Sequence, residues 1–136
     1  MPHLTLEYSA NLREQGRFDQ LCRSLAQALV AQRNEAGEPV FPIGGVRVRA
    51  IACEDWCIAD GSLPEAAFVH ARLLIGAGRS AAQQQACGDA LFAQMKGHFA
   101  ELYERQGLAL SLELGEFSEA GTWKHNNLHQ RFKPKA

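Results

Sequence analysis

The feature that most limits what this chain can become is an order of patterns that runs twice. From His3 to Tyr8 the residues alternate, with Leu4, Leu6 and Tyr8 on one side and His3, Thr5 and Glu7 on the other, which predicts a strand. After a polar turn from Ser9 to Gly16, Phe18, Leu21, Cys22, Leu25, Ala26, Leu29 and Val30 recur at helical steps. A Pro- and Gly-containing loop covers Asn34 to Pro42, and Val46 to Cys53 is alternating and β-branched enough for a second strand. The order then repeats. Ala67 to Ile75 reads as a strand and Gly76-Ala77-Gly78 as a turn, and Ser80 with Gln83 forms a capping-box signature. Ala86, Cys87, Ala90, Leu91, Met95, Phe99 and Leu102 make one helical stripe, and Leu108, Leu110, Leu112 and Leu114 alternate as a last strand.

This is an α/β (α+β) pattern of two consecutive β-α-β units, about 2–53 and 66–117, joined by Glu54 to Pro64. The length, 136 residues, fits a single domain over 1–136. Two crossover units in one sheet predict four strands with two helices on one face. The other face would then be bare. Strand three offers Phe68, His70 and Leu74 on one side and Val69, Ala71, Leu73 and Ile75 on the other, so both faces read as apolar. Oligomerisation is the expected cover, because closed symmetry removes a patch too large for a monomer to expose. The tail, 118–136, lacks helical periodicity from Gly121 onward and is expected to lie across a neighbour or near the site.

Several classes recede. A net charge of −1 gives no footprint for nucleic acid or an anionic membrane. The opening Met1-Pro2-His3-Leu4 has no basic region followed by an apolar run, so no secretory signal is read there. Apolar stretches such as Phe68 to Ile75 are too short to span a bilayer. The expected location is the cytoplasm, with Cys22, Cys53, Cys57 and Cys87 reduced.

Chemistry points first to Pro2. Without Met1, Pro2 is an N-terminal secondary amine, and burial or nearby cations would tune its basicity toward working pH. Proline at this position also simply begins an edge strand in many chains. Arg47 and Arg79 sharpen the case. Parallel pairing of strands one and two, with antiparallel pairing of strands one and three, would carry both arginines to the Pro2 end. There their guanidinium forks could grip carboxylates. The alternative for them is surface pairing with Glu7 or Glu54. Phe41, Trp56 and Phe68 are candidate walls of an apolar pocket, with plain core positions as the alternative, and Trp123, Lys124 and Asn127 are candidate closures from the tail. Phe41 or the Trp123–Asn127 segment could also reach the Pro2 of a neighbouring subunit. Asp60-Gly61 reads as a turn and His70 as a core histidine. Cys53-x3-Cys57 and His125-x3-His129 have ligand-like spacing, but far more residues separate them than the dozen or so of a finger, so no metal is expected.

Pro2-His3-Leu4, Asn11-Leu12-Arg13-Glu14, Phe41-Pro42-Ile43-Gly44-Gly45-Val46-Arg47, Asp55-Trp56-Cys57-Ile58-Ala59-Asp60-Gly61, Ala67-Phe68-Val69-His70, Ile75-Gly76-Ala77-Gly78-Arg79-Ser80 and Lys124-His125-Asn126-Asn127-Leu128-His129 together resemble the 5-carboxymethyl-2-hydroxymuconate isomerase family of the tautomerase superfamily. The resemblance runs in order from the first residues to near the last. It implies a homotrimer of paired β-α-β units, free of cofactor. It implies that Pro2 is the catalytic base and acid, and that Arg47 and Arg79 bind and polarise a small dicarboxylate or tricarboxylate dienol. The reaction implied is conversion of 5-carboxymethyl-2-hydroxymuconate to its 2-oxo-3-ene isomer, in homoprotocatechuate (4-hydroxyphenylacetate) degradation. The superfamily also hosts enzymes acting on other unsaturated carboxylates, and that alternative stays open here. The loop from Gln32 to Val40 is longer than the family pattern.

Overall fold

The structure, a computed structural model, describes residues 1–133. Four strands, β1 (His3–Ser9), β2 (Arg47–Cys53), β3 (Ala67–Gly76) and β4 (Leu108–Phe117), form one sheet in the order β2-β1-β3-β4. β1 runs parallel to β2 and antiparallel to β3, and β3 runs parallel to β4. The crossovers are carried by α1 (Phe18–Val30) and by α2 (Ala81–His98) with α3 (Ala100–Arg105), while α4 (Leu128–Arg131) lies in the tail. Residues 134–136 of the predicted tail lie outside the described residues.

Alternation within the strands decides which face the helices cover. Leu4, Leu6 and Tyr8 of β1 are buried beside Val69, Ala71, Leu73 and Ile75 of β3. Onto them pack Leu21, Leu25 and Leu29 of α1 and Cys87, Leu91 and Met95 of α2. The Tyr8 and Phe18 rings stack 3.7 Å apart, closing the core at the Ser9 end. Ser80 Oγ accepts from the Gln83 amide at 3.1 Å and Gln83 Oε1 accepts from the Ser80 amide at 3.4 Å, so the capping box starts α2 as predicted.

Three expectations are corrected. The single helix read from Ser80 to Leu102 breaks at Phe99, whose backbone leaves the helical region (φ −100°, ψ 12°). Gly97 weakens the helix just before, and the break lets Phe99 bury its ring 5.8 Å from that of Phe18. The tail is not wholly irregular, since Leu128–Arg131 makes one helical turn. The open face of the sheet is not substantially apolar. It carries His3, Thr5, Glu7, Arg49, His70, Arg72 and Glu113 around Leu74. His70 is accordingly no core histidine: its Nδ1 lies 2.6 Å from Ser111 Oγ and its Nε2 3.1 Å from Glu113 Oε1, on a half-exposed surface. Among the described residues no helix is long and apolar enough to cross a membrane.

Leu6 sits at the middle of β1 and is fully buried, whereas Thr5 beside it faces the open side. Leu6→Ala should cost about 2–5 kcal/mol through lost burial and a residual cavity, and Thr5→Ala less than about 1 kcal/mol. Urea denaturation of both variants checks this, and equal losses would contradict the assignment of faces.

Candidate active site

Strand register builds the site. His3 pairs with Arg47 across the parallel β1–β2 ladder and with Leu74 across the antiparallel β1–β3 ladder. The buried Pro2 therefore lies where β2 begins and β3 ends, and its carbonyl accepts from the Arg47 amide at 3.1 Å. Arg47 Nη1 donates to Gly45 O at 3.0 Å and to Gly44 O at 3.4 Å. Arg79, just past the end of β3, donates from Nη1 to Gly76 O and from Nη2 to Val40 O, each at 3.0 Å. Its guanidinium carbon lies 4.7 Å from the centre of the Phe41 ring.

The arginines are thus held by carbonyl oxygens and an aromatic face. Among the described residues neither is salt-bridged to a carboxylate. Glu54, one of the partners considered for them, binds Arg13 instead, and Glu7 lies opposite His70 and Ile51 on the open face. Half-buried guanidinium groups without a counter-ion favour an anionic ligand.

Met1 and the tail complete the surroundings. Met1 Sδ lies 3.4 Å from Arg47 Nη1 and 3.7 Å from Asn126 Nδ2. Lys124 Nζ binds Glu119 Oε2 at 2.7 Å. The chain passes close at three glycines. A Cβ on Gly45 would lie 3.1 Å from Met1 Cγ, one on Gly76 2.8 Å from Glu119 Oε1, and one on Gly44 2.7 Å from the His129 amide nitrogen. Burial first, then the charges of Arg79, Lys124 and Arg47, push the terminal amine below the ordinary α-amino value, with Glu119 opposing. His3 is also lowered, by burial, then by Arg49, Arg47 and the terminal amine.

Of the residues singled out in the sequence, Pro2, Arg47 and Arg79 converge and the aromatic candidates do not. Phe41 is buried (1% exposed), so it supports Arg79 from beneath instead of walling a pocket. Trp56 and Phe68 lie at the Ser9 end of the sheet, because β2 ends and β3 begins there. Six residues of strand, on the order of 20 Å, separate that end from Pro2. Trp123 is 89% exposed and covers nothing. Asn127 is exposed at the start of α4, and its neighbour Asn126 makes the contact to Met1. The Cys53/Cys57 and His125/His129 pairs fall at opposite ends of the sheet, and no cluster of three His, Cys, Asp or Glu residues able to hold a metal occurs among the described residues. Asp60-Gly61 is a turn, with Asp60 Oδ1 accepting from the Ser62 amide at 3.0 Å. The sequence places the tail near the site through Lys124 and Asn127 and carries Asn126 and His129 in a motif without this role. Glu119 is missed, because no local spacing ties one tail residue to residue 2. The Gly44-Gly45 pair was the one available signal of close chain approach.

The atoms nearest a Gly44 side chain are His129 backbone, which cannot swing aside. Gly44→Ala should therefore lift the 124–131 segment while leaving the sheet intact. Faster amide exchange and faster proteolysis confined to that segment are expected, and unchanged protection would show that the tail is held elsewhere.

A family model described as 5-carboxymethyl-2-hydroxymuconate isomerase matches residues 2–132. A 5-carboxymethyl-2-hydroxymuconate Delta-isomerase of Escherichia coli is 39% identical over 133 residues, covering 98% of this chain and 100% of that relative. The crystal structure of a 5-carboxymethyl-2-hydroxymuconate isomerase from Deinococcus radiodurans R1 is similar at a TM-score of 0.88 and 48% identity, over 98% of this chain and 95% of that one. A fused 4-OT, described as a symmetric trimer, shares the fold alone, with a TM-score of 0.63 at 14% identity over 90% of this chain and 93% of that one. Matched along nearly its whole length in both sequence and structure, the chain belongs to the 5-carboxymethyl-2-hydroxymuconate isomerase family, on the tautomerase fold.

Proposed function

We propose that this protein isomerises 5-carboxymethyl-2-hydroxymuconate to its 2-oxo-3-ene form, using the Pro2 nitrogen, freed by removal of Met1, as base and then acid. The observation that carries the reading is the convergence of two uncompensated arginines on a buried Pro2, in a chain matched end to end by isomerases of that name. In the free chain Met1 fills the space in front of the proline nitrogen and makes it a non-basic amide. Its removal opens that space to Arg47 and Asn126.

Arg47 and Arg79 hold carboxylates of the dienol. Neutral Pro2 takes the proton of the 2-hydroxyl, and the electron pair left on oxygen forms the C2 carbonyl as the diene shifts to C3–C4. Protonated Pro2 then delivers the proton to C5. Guanidinium donors stabilise the oxygen charge that develops between the two transfers. Burial and the neighbouring Arg47 and Arg79 disfavour the charged form of an amine at Pro2, which suits a base working near neutral pH. The four free thiols fit a reducing cytoplasm.

Intact mass of the active protein should lack Met1, and a blocked Pro2 should abolish turnover. Pro2→Ala keeps a primary amine and should retain a fraction of the rate. Arg47→Ala and Arg79→Ala should each lower kcat/KM roughly 10²-fold, with Lys at either position rescuing in part. Because burial beside two cations disfavours a protonated Pro2, kcat/KM should climb as pH rises through a midpoint below that of a free prolyl amine, then level off. Full turnover with Met1 in place would sink the reading.

The assembly proposed is a homotrimer. Its support is the likeness of fold to a symmetric trimer; the open sheet face, polar and charged around Phe68, Leu74 and Ile51, adds no hydrophobic motive of its own. Sedimentation equilibrium should give three times 14.9 kDa, and an active monomer would overturn the trimer.

A further inference from the structure

Three cations face the amino end of the chain, and the mechanism above uses two of them. Lys124 is the third, near enough for its charge to help lower the amine of Met1. It projects from a turn that is built locally. Thr122 Oγ1 donates to Ser118 O at 2.6 Å, the Gly121 amide donates to Ser118 O, and the Thr122 amide donates to Glu119 O. That turn places Glu119 and Lys124 side by side. Glu119 Oε2 accepts from Lys124 Nζ, while Oε1 reaches over Gly76, the residue whose carbonyl holds Arg79. A carboxylate thus already sits between Lys124 and Arg79. It is kept ionised by the Lys124 hydrogen bond and is more than half exposed.

The proposed substrate carries three carboxylates, the two ends of the muconate chain and the carboxymethyl arm. Arg47 and Arg79 account for two. We propose that Lys124 binds the third, the carboxymethyl carboxylate, and that Glu119 occupies its position in the free enzyme and yields it on binding. Exchange of one carboxylate for another is inexpensive because an exposed ion pair contributes little to stability. A Cβ at Gly76 would lie 2.8 Å from Glu119 Oε1, so the bare glycine lets the carboxylate rest there. The inference rests on the isomerase reading above and extends it to the choice between dienol triacids and diacids.

The test compares wild type, Lys124→Gln, Lys124→Arg and Glu119→Gln on two substrates. One is 5-carboxymethyl-2-hydroxymuconate. The other is 2-hydroxymuconate, the same dienol without the arm. Lys124→Gln should raise KM for the first substrate about tenfold or more, the loss expected for a charge-assisted hydrogen bond, and lose severalfold less kcat/KM on the second. Lys124→Arg should restore most of the difference. Glu119→Gln should lower KM for the first substrate only. The rising limb of the pH profile should move up in Lys124→Gln, which removes a charge that lowers the amine, and down in Glu119→Gln, with Arg47, Arg79 and His3 still facing it. Equal losses on both substrates in Lys124→Gln, or an unchanged KM, overturn this inference alone. A wild type that turns over neither substrate overturns the isomerase reading with it.

Discussion

Burial of Leu4, Leu6 and Tyr8 against the helices holds the register of β1, and the register holds the site. A slip of one residue would turn those side chains onto the open face and bring Thr5 and Glu7 into the core, so the packing forbids it. The same register sets His3 against Arg47 on one side and Leu74 on the other. Pro2, one residue earlier, is thereby delivered between the start of β2 and the end of β3. No contact at the site itself is needed to place it. A hydrophobic preference expressed over six residues positions a nitrogen, and two arginines distant in sequence arrive beside it.

The arginines are held in a way that leaves their charge available. Carbonyls of Gly44 and Gly45 orient Arg47, and carbonyls of Gly76 and Val40 orient Arg79 over the Phe41 ring. A carboxylate partner would have oriented them as well but would have neutralised them. The long loop before β2 has its use here. Asn34 Oδ1 accepts from the amides of Ala36 and Glu38, and the Val40 amide returns to Gln32 O at 3.0 Å. The loop closes on itself and presents Val40 and Phe41 to Arg79.

The elements were legible because each announces itself locally. Alternation in His3–Tyr8 and Leu108–Leu114, the helical stripe from Phe18 to Val30 and the Ser80–Gln83 capping box all depend on neighbours in sequence, and all appear in the structure. The errors came where the outcome depended on neighbours in space. Phe68, His70 and Leu74 share their face with Arg72 of the same strand, and Glu7, Arg49 and Glu113 from across the sheet make it polar. Trp56 looked like a pocket wall until the direction of the crossover placed it at the far end. Phe41 was chosen for its aromatic ring and proved to serve a neighbouring cation.

What the sequence determined by itself was the order of strands and helices, the faces the core claims, and the candidacy of Pro2, Arg47 and Arg79, since periodicity and side-chain chemistry are properties of the chain read in order. Only the tertiary structure decided by which contacts the tail, expected near the site or across a neighbour, returns to the amino end of its own chain. Asn126 touches Met1, and Glu119 and Lys124 pair with each other nearby, where Gly44, Gly45 and Gly76 leave room for backbone and carboxylate to approach. Contacts between residues more than a hundred positions apart follow from how the sheet is closed and what space its glycines leave, and no local pattern encodes that.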